Sequence, residues 1–216
     1  MQRQQNIRLN GAEFDAIMYG ISEEQKEILE ENPTVEHYGV VMVSGVVAET
    51  EADKTPGVGL LYADDTYWKK MMAPARKFVK GHYPVEENEV MVTEDALKKC
   101  GFSDKKIGDE ITFVYEINEK REAETFRISG IWDGYGDTDK FLYVKKPFVT
   151  SRSWMRYIMV VVIFLFVKKW MSDEAQQAFI DSMKLEKNHS GYFMCMSMEM
   201  QPKSFWGWQE SRLLQC

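Results

Sequence analysis

Residues 81–117 read GHYPVEENEVMVTEDALKKCGFSDKKIGDEITFVYEI, and three elements can be parsed from them. Glu89-Val90-Met91-Val92 is a short apolar run between turn residues, the pattern of a buried strand. Thr93 then offers a side-chain oxygen to the first turn of a helix. Glu94 and Asp95 follow where the helix dipole is positive, and Gly101 supplies the residue that ends it. Ile111, Phe113, Tyr115 and Ile117 alternate with Thr112, Val114 and Glu116, a strand with one face more apolar than the other. Gly108-Asp109 turns the chain into that strand, glycine for positive φ and aspartate for a bond to its own backbone. Gly81 and Pro84 make a stiff bend into the first strand.

Working outward, Phe126, Ile128 and Gly130 continue the alternation after the charged stretch Asn118 to Glu124, which predicts a β-hairpin with a long polar loop. Phe141 to Val144 is another short strand. Upstream, Ser22 is an N-cap with Gln25 completing a capping box, and the helix it opens stops before Asn32-Pro33. A long strand runs from His37 to Glu49 with Gly39 and Gly45 as bulge points. Val58 to Ala63 is the next strand, and Asp65 caps a short helix with Trp68, Met71 and Met72 on one side. Near the C-terminus Ser172 opens a helix over about 172–187, with Ala175, Ala178, Phe179, Ser182 and Met183 on one face. The class is α+β: mixed and antiparallel short-stranded sheets with flanking helices, in two lobes.

The chain has 216 residues and 25.2 kDa, with 44% apolar residues and a formal charge of −7, enough to bury a core and wrong in sign for nucleic acid. Charge is uneven: residues 1–150 hold 19 Lys+Arg against 28 Asp+Glu, a net of −9, and residues 151–216 hold 8 against 6, a net of +2. The same tail carries 8 of the 14 methionines and 4 of the 6 tryptophans, so composition shifts near residue 150. Cys100, Cys195 and Cys216 lack the spacing of a zinc or redox pair and read as incidental thiols. Tyr157 to Val167 (YIMVVVIFLFV) would span ~16 Å as a helix, about half of the ~30 Å hydrocarbon core, and its Val, Ile and Phe content suits a buried strand.

Chemistry is sparse. His37, His82 and His189 share no ligand or catalytic spacing, and no nucleophile elbow, Walker A loop or dinucleotide fingerprint occurs. Asp133-Gly-Tyr-Gly-Asp137-Thr-Asp139 gathers three carboxylates that could hold calcium, but it lacks the closing glutamate and fits a solvated acidic turn better. Met194, Met196, Met198 and Met200 alternate as one apolar strand face would, or as thioether ligands would. No catalytic, cofactor or metal residue is assigned. The residues favour a binding or structural module over an enzyme.

The ordered series Gly81, Pro84, Asn88-Glu89-Val90, Thr93, Gly101, Ile107-Gly108-Asp109, Ile111, Phe126 and Gly130 resembles the MacB-like periplasmic core domain of bacterial FtsX-like ABC transporter permeases. The likeness covers residues 14–150 and takes in Asn32-Pro33, Val35 and Gly39. Residues 151–216 stand apart as an atypical C-terminal segment that completes the same domain. The resemblance implies a non-catalytic domain without cofactor on the extracytoplasmic face of the membrane. It would contact peptide, lipid or lipoprotein cargo and be coupled through transmembrane helices to a separate ABC ATPase subunit. The sequence carries neither those helices nor an export signal, which suggests an excised or disrupted gene. The other reading is a free-standing surface or secreted ligand-binding module.

Overall fold

The computed structural model describes residues 7, 11–19, 23–117, 120–135, 141–145, 161–167, 173–182 and 193–195. Chain order is β1 (Ala16–Tyr19), α1 (Glu23–Glu31), β2 (Val35–Glu49) and β3 (Val58–Ala63). A π-helical turn (Tyr67–Met71) and a 3-10 turn (Ala73–Ala75) lead into β4 (Arg76–Gly81), β5 (Glu89–Val92) and α2 (Glu94–Lys99). The rest is β6 (Glu110–Ile117), β7 (Lys120–Gly134), β8 (Phe141–Val144), β9 (Val161–Val167), α3 (Asp173–Ser182) and β10 (Phe193–Cys195).

The ten strands form one mixed sheet. Pairings run β2–β3–β8–β5–β7–β6 and return to β2, so six strands close a ring. The β3–β8 and β5–β7 pairs are parallel and the others antiparallel. Two flanks leave the ring. β4 extends from the end of β7, and an arm ordered β10–β1–β9 extends from the first half of β2. The C-terminal strand β9 therefore lies between β1 and β2, hydrogen-bonded to both.

Short apolar runs make sense because β3, β5 and β8 of the ring are buried on both faces. Leu60, Val90, Val92, Leu142 and Val144 enter a first core with Ile111, Phe113, Phe126 and Ile128, which α2 covers through Ala96, Leu97 and Cys100. Their neighbours Leu61, Met91 and Tyr143 point the other way, into a second core with Val41, Trp68, Met71 and Trp132. A third, smaller core packs Leu29 of α1 and Phe179 of α3 on Ala16, Met18 and Val40 of the arm.

β2 and β7 are each 15 residues long and each changes core halfway. In β2, Val41 and Val43 serve the second core, while Val47 serves the first. The exchange falls at a register shift between Val43 and Gly45, where Ser44 is the extra residue and Gly45 takes φ +137°. In β7, Phe126 and Ile128 serve the first core and Trp132 the second. Against β5, Val90 faces Ile128 but Met91 faces Gly130, leaving Ser129 as the extra residue.

Several expectations need correction. Asn118 to Glu124 is no long loop: β7 begins at Lys120, and the charged residues pair in register with β6. That ladder carries its own polar cross-strand contacts, Thr112 with Thr125 at 2.8 Å, Tyr115 Oη donating to Glu122 at 2.9 Å and Arg121 to Glu116 at 2.7 Å. Asp64, one residue before the expected cap, accepts the Tyr67 N–H at 2.7 Å, while Asp65 pairs with Lys69. Gly39 is no bulge. A Cβ there would lie 2.7 Å from Tyr67 Cβ and 2.8 Å from Met71 Sδ, so glycine lets the π-helical turn settle on β2. In α3 Phe179 is buried but Ala175, Ala178 and Ser182 are exposed, so a narrower face than expected meets the arm. Ser22, Tyr157 to Val160, Ser172, Met183, His189, Asp137, Asp139, Met196, Met198 and Met200 lie outside the described residues.

Candidate functional site

The motif residues converge on β7 between Phe126 and Gly130. Arg127 N–H donates to the Asn88 carbonyl at 2.8 Å, and Ile128 N–H to the Asp109 carbonyl at 2.9 Å. Gly108 N–H donates to the Ile128 carbonyl at 2.8 Å. The Asp109 carboxylate accepts the Lys106 N–H at 2.8 Å, closing the turn the sequence predicts, with Gly108 at φ +96°. Two loops, 82–88 and 100–109, are thus knotted onto one segment of strand.

Gly81 and Gly130 are paired across β4 and β7 because neither has room for a side chain. A Cβ on Gly81 (φ +76°) would meet the Ser129 carbonyl at 2.3 Å, and one on Gly130 would meet Met91 Cε at 2.6 Å and the His82 carbonyl at 2.8 Å. Ser129 Oγ holds the bulge by donating toward the His82 and Val90 carbonyls, at 3.0 and 3.2 Å.

Glu89 is the one deeply buried carboxylate of the knot. Its Oε2 accepts the N–H groups of Val85 and Glu86 at 2.9 and 3.2 Å, and its Oε1 accepts from the Arg127 guanidinium at 2.6 Å. His82 Nδ1 lies 3.9 Å away. Burial by itself would raise the carboxyl pKa, but the two backbone N–H groups, His82 and Arg127 together hold it below the usual range. A carboxylate with both oxygens engaged in this way pins the 82–88 bend. The remaining motif residues are placed apart. Thr93 Oγ1 accepts the Ala96 N–H at 3.0 Å at one end of α2, and Gly101 (φ +78°) closes the other. Val90, Ile111 and Phe126 are first-core residues, Pro84 is buried in the bend, and Ile107 is exposed.

Sequence reasoning missed Arg127, Ser129 and the aromatic group beneath the knot. Trp68 packs on Tyr83, Trp132 and Tyr143 with ring centroids 5.0 to 5.7 Å apart, and the Arg76 guanidinium lies 4.7 Å over its ring. Tyr83 Oη also accepts the Ala63 N–H at 2.9 Å, tying the bend to β3. The signal available was composition only, since these four aromatics are scattered over 76 positions.

Among the described residues no metal-ligating group gathers around His37, His82 or Cys100. Partial burial, then Lys70, lowers the His37 pKa, and the Glu36 carboxylate lies 3.8 Å from its Nδ1. Burial pushes the Cys100 thiol up to about 12, which keeps it protonated and inert. Asp133 pairs with Lys77 at 3.0 Å. Among the described residues no group of three or more His, Cys, Asp or Glu could hold a metal, and no helix is long and apolar enough to cross a membrane.

No protein-family profile and no curated protein matches the chain. Solved structures do. The periplasmic region of MacB from Actinobacillus actinomycetemcomitans superposes with a TM-score of 0.53 at 14% identity, covering 90% of this chain and 94% of that one. A domain described as that of a permease protein from Porphyromonas gingivalis gives 0.48 at 14% identity, covering 86% and 89%. The α+β fold of this chain is that of the MacB periplasmic region, over nearly the whole length of both.

Proposed function

We propose that the chain is a non-catalytic extracytoplasmic domain of an FtsX-like ABC transporter permease, one that contacts cargo or partner proteins and moves as a body during export of peptides, lipids or lipoproteins. One observation carries the reading. The motif residues that suggested the family fall on the crossings and turns that build this fold, and the fold is that of the periplasmic region of MacB across 90% of the chain. A tight glycine crossing and a fully engaged carboxylate suit a rigid body that passes force on, and they offer no group for bond chemistry. On this reading residues 14–150 and the segment 151–216 form one domain, because β9 completes the sheet between β1 and β2. The ATPase acts on it through transmembrane helices.

The test is topological. Ser103 is exposed and Cys100 is buried. In cells expressing the native gene with Ser103→Cys, a membrane-impermeant maleimide should label the protein without permeabilisation. Labelling only after the membrane is opened would overturn the placement.

A further inference from the structure

Among the described residues β4 has a strand on one side only, β7. An edge of this kind presents backbone donors and acceptors at which an extended segment can be added. Its surroundings are unusual for this chain. Residues 66–85 contain five Lys or Arg and no Asp or Glu, within a protein holding 34 acidic residues and a net charge of −7. At the far end of β4 the exposed Lys80 precedes Gly81, where a Cβ would lie 3.2 Å from Ile107 Cδ1, and the exposed Lys106 precedes Ile107. Val79, Val85 and Ile107 are 41, 53 and 42% exposed, three of the five large apolar side chains most open to solvent among the described residues.

We propose that the β4 edge, with Val79, Ile107, Lys80 and Lys106 beside it, is a docking site for an extended acidic segment of a partner protein. Backbone pairing along the six residues of β4 would supply the register, the exposed apolar side chains a contact surface, and the cations the choice of partner. A second copy of this chain fits poorly. In the antiparallel register that pairs all six residues of Arg76–Gly81 with themselves, Lys77 would oppose Lys80, like charge against like. The inference concerns a surface and does not depend on the permease reading.

The probe is a soluble peptide of alternating Glu with Val and Thr, with a Lys-for-Glu peptide as control, added to the full chain at low salt. The acidic peptide should slow amide exchange at 78–81, and the basic peptide should not. Lys80→Glu with Lys106→Glu should weaken binding roughly tenfold or more without lowering the melting temperature, since both side chains are on the surface. Exchange at 78–81 unchanged by the acidic peptide would overturn the proposal. So would equal binding of both peptides, binding to phosphatidylglycerol vesicles in place of peptide, or concentration-dependent dimerisation lost in the double variant.

Discussion

The ring and the arm are one sheet made from two kinds of chain. From Gly45 to Val144 the ring strands follow closely in sequence, and β3, β5 and β8 are packed on both faces by the first and second cores. The arm is gathered from residues 16–19, 161–167 and 193–195 on the first half of β2, so each of its pairings closes most of the chain. One side of it carries the third core, where five buried side chains meet. Closing a long loop costs entropy that a small core recovers slowly, so the arm should form late and open first. Stability and connectivity are divided between the two regions, and Trp132 and Val41, in the second core, are where they meet.

The largest effect should come from that meeting point. Trp132 is wholly buried among Trp68 and Tyr143, and Trp132→Ala should cost about 3–5 kcal/mol, a large part of the stability of a domain. In native-state hydrogen exchange it should lower protection in both β5 and β9. Phe179→Ala, confined to the third core, should lower protection in β1 and β9 and leave β5 unchanged. Equal loss everywhere from Phe179→Ala would mean that ring and arm unfold as one unit.

Within the ring, the two motif turns separate strain from collision. Gly108→Val should cost about 1–3 kcal/mol, because φ +96° resists a β-branched residue although nothing lies within 4 Å of the new Cβ. Gly81→Ala should cost more despite the smaller side chain, since its Cβ adds a backbone collision at 2.3 Å to the same kind of strain. Urea midpoints of the two variants compare them directly, and the reverse order would remove the glycine crossing from the account of the knot.

The smallest effect is pH-dependent. Because the Glu89 carboxyl is lowered in the folded state, its stabilisation is complete above the unfolded value of about 4.3 and is lost as pH falls through the folded value. Glu89→Gln should therefore be roughly 1–2 kcal/mol less stable at pH 7, with the difference shrinking toward zero under acid. Denaturation curves at several pH values test this, and a gap constant with pH would mean the charge is irrelevant to pinning the 82–88 bend.

Short apolar runs were legible: Val58 to Ala63, Glu89 to Val92 and Phe141 to Val144 read correctly as strands, and Thr93 and Gly101 as the ends of a helix. Length and partnership were not. Lys120 to Glu124 looks like loop because its side chains are polar, yet a hairpin arm exposed to water needs only backbone pairing and cross-strand contacts. Nor can period-2 patterning report which core a side chain enters. Phe126, Ile128, Gly130 and Trp132 alternate without a break in sequence, and the exchange of cores at Ser129 leaves no trace in it. Of the knot, the glycines and the Asp109 turn could be found from residue type, but Arg127 and Ser129 act through partners distant in sequence.

Ser44 and Ser129 impose a rule of parity on the chain. Each is a single odd residue in the middle of a 15-residue strand, and each is buried. Each lets residues four apart face opposite cores: Val43 and Ile128 lie on one side of a serine, Val47 and Trp132 on the other, and the core changes across it. Removing the odd residue would leave a regular ladder in which Val47 still opposes Val58 and Gly130 still opposes Met91. Adding or removing one residue anywhere else in β2 or β7 would instead turn every side chain beyond it to the other face. Homologues should therefore vary freely in loop length, and along these two strands lose or gain single residues only at the serines.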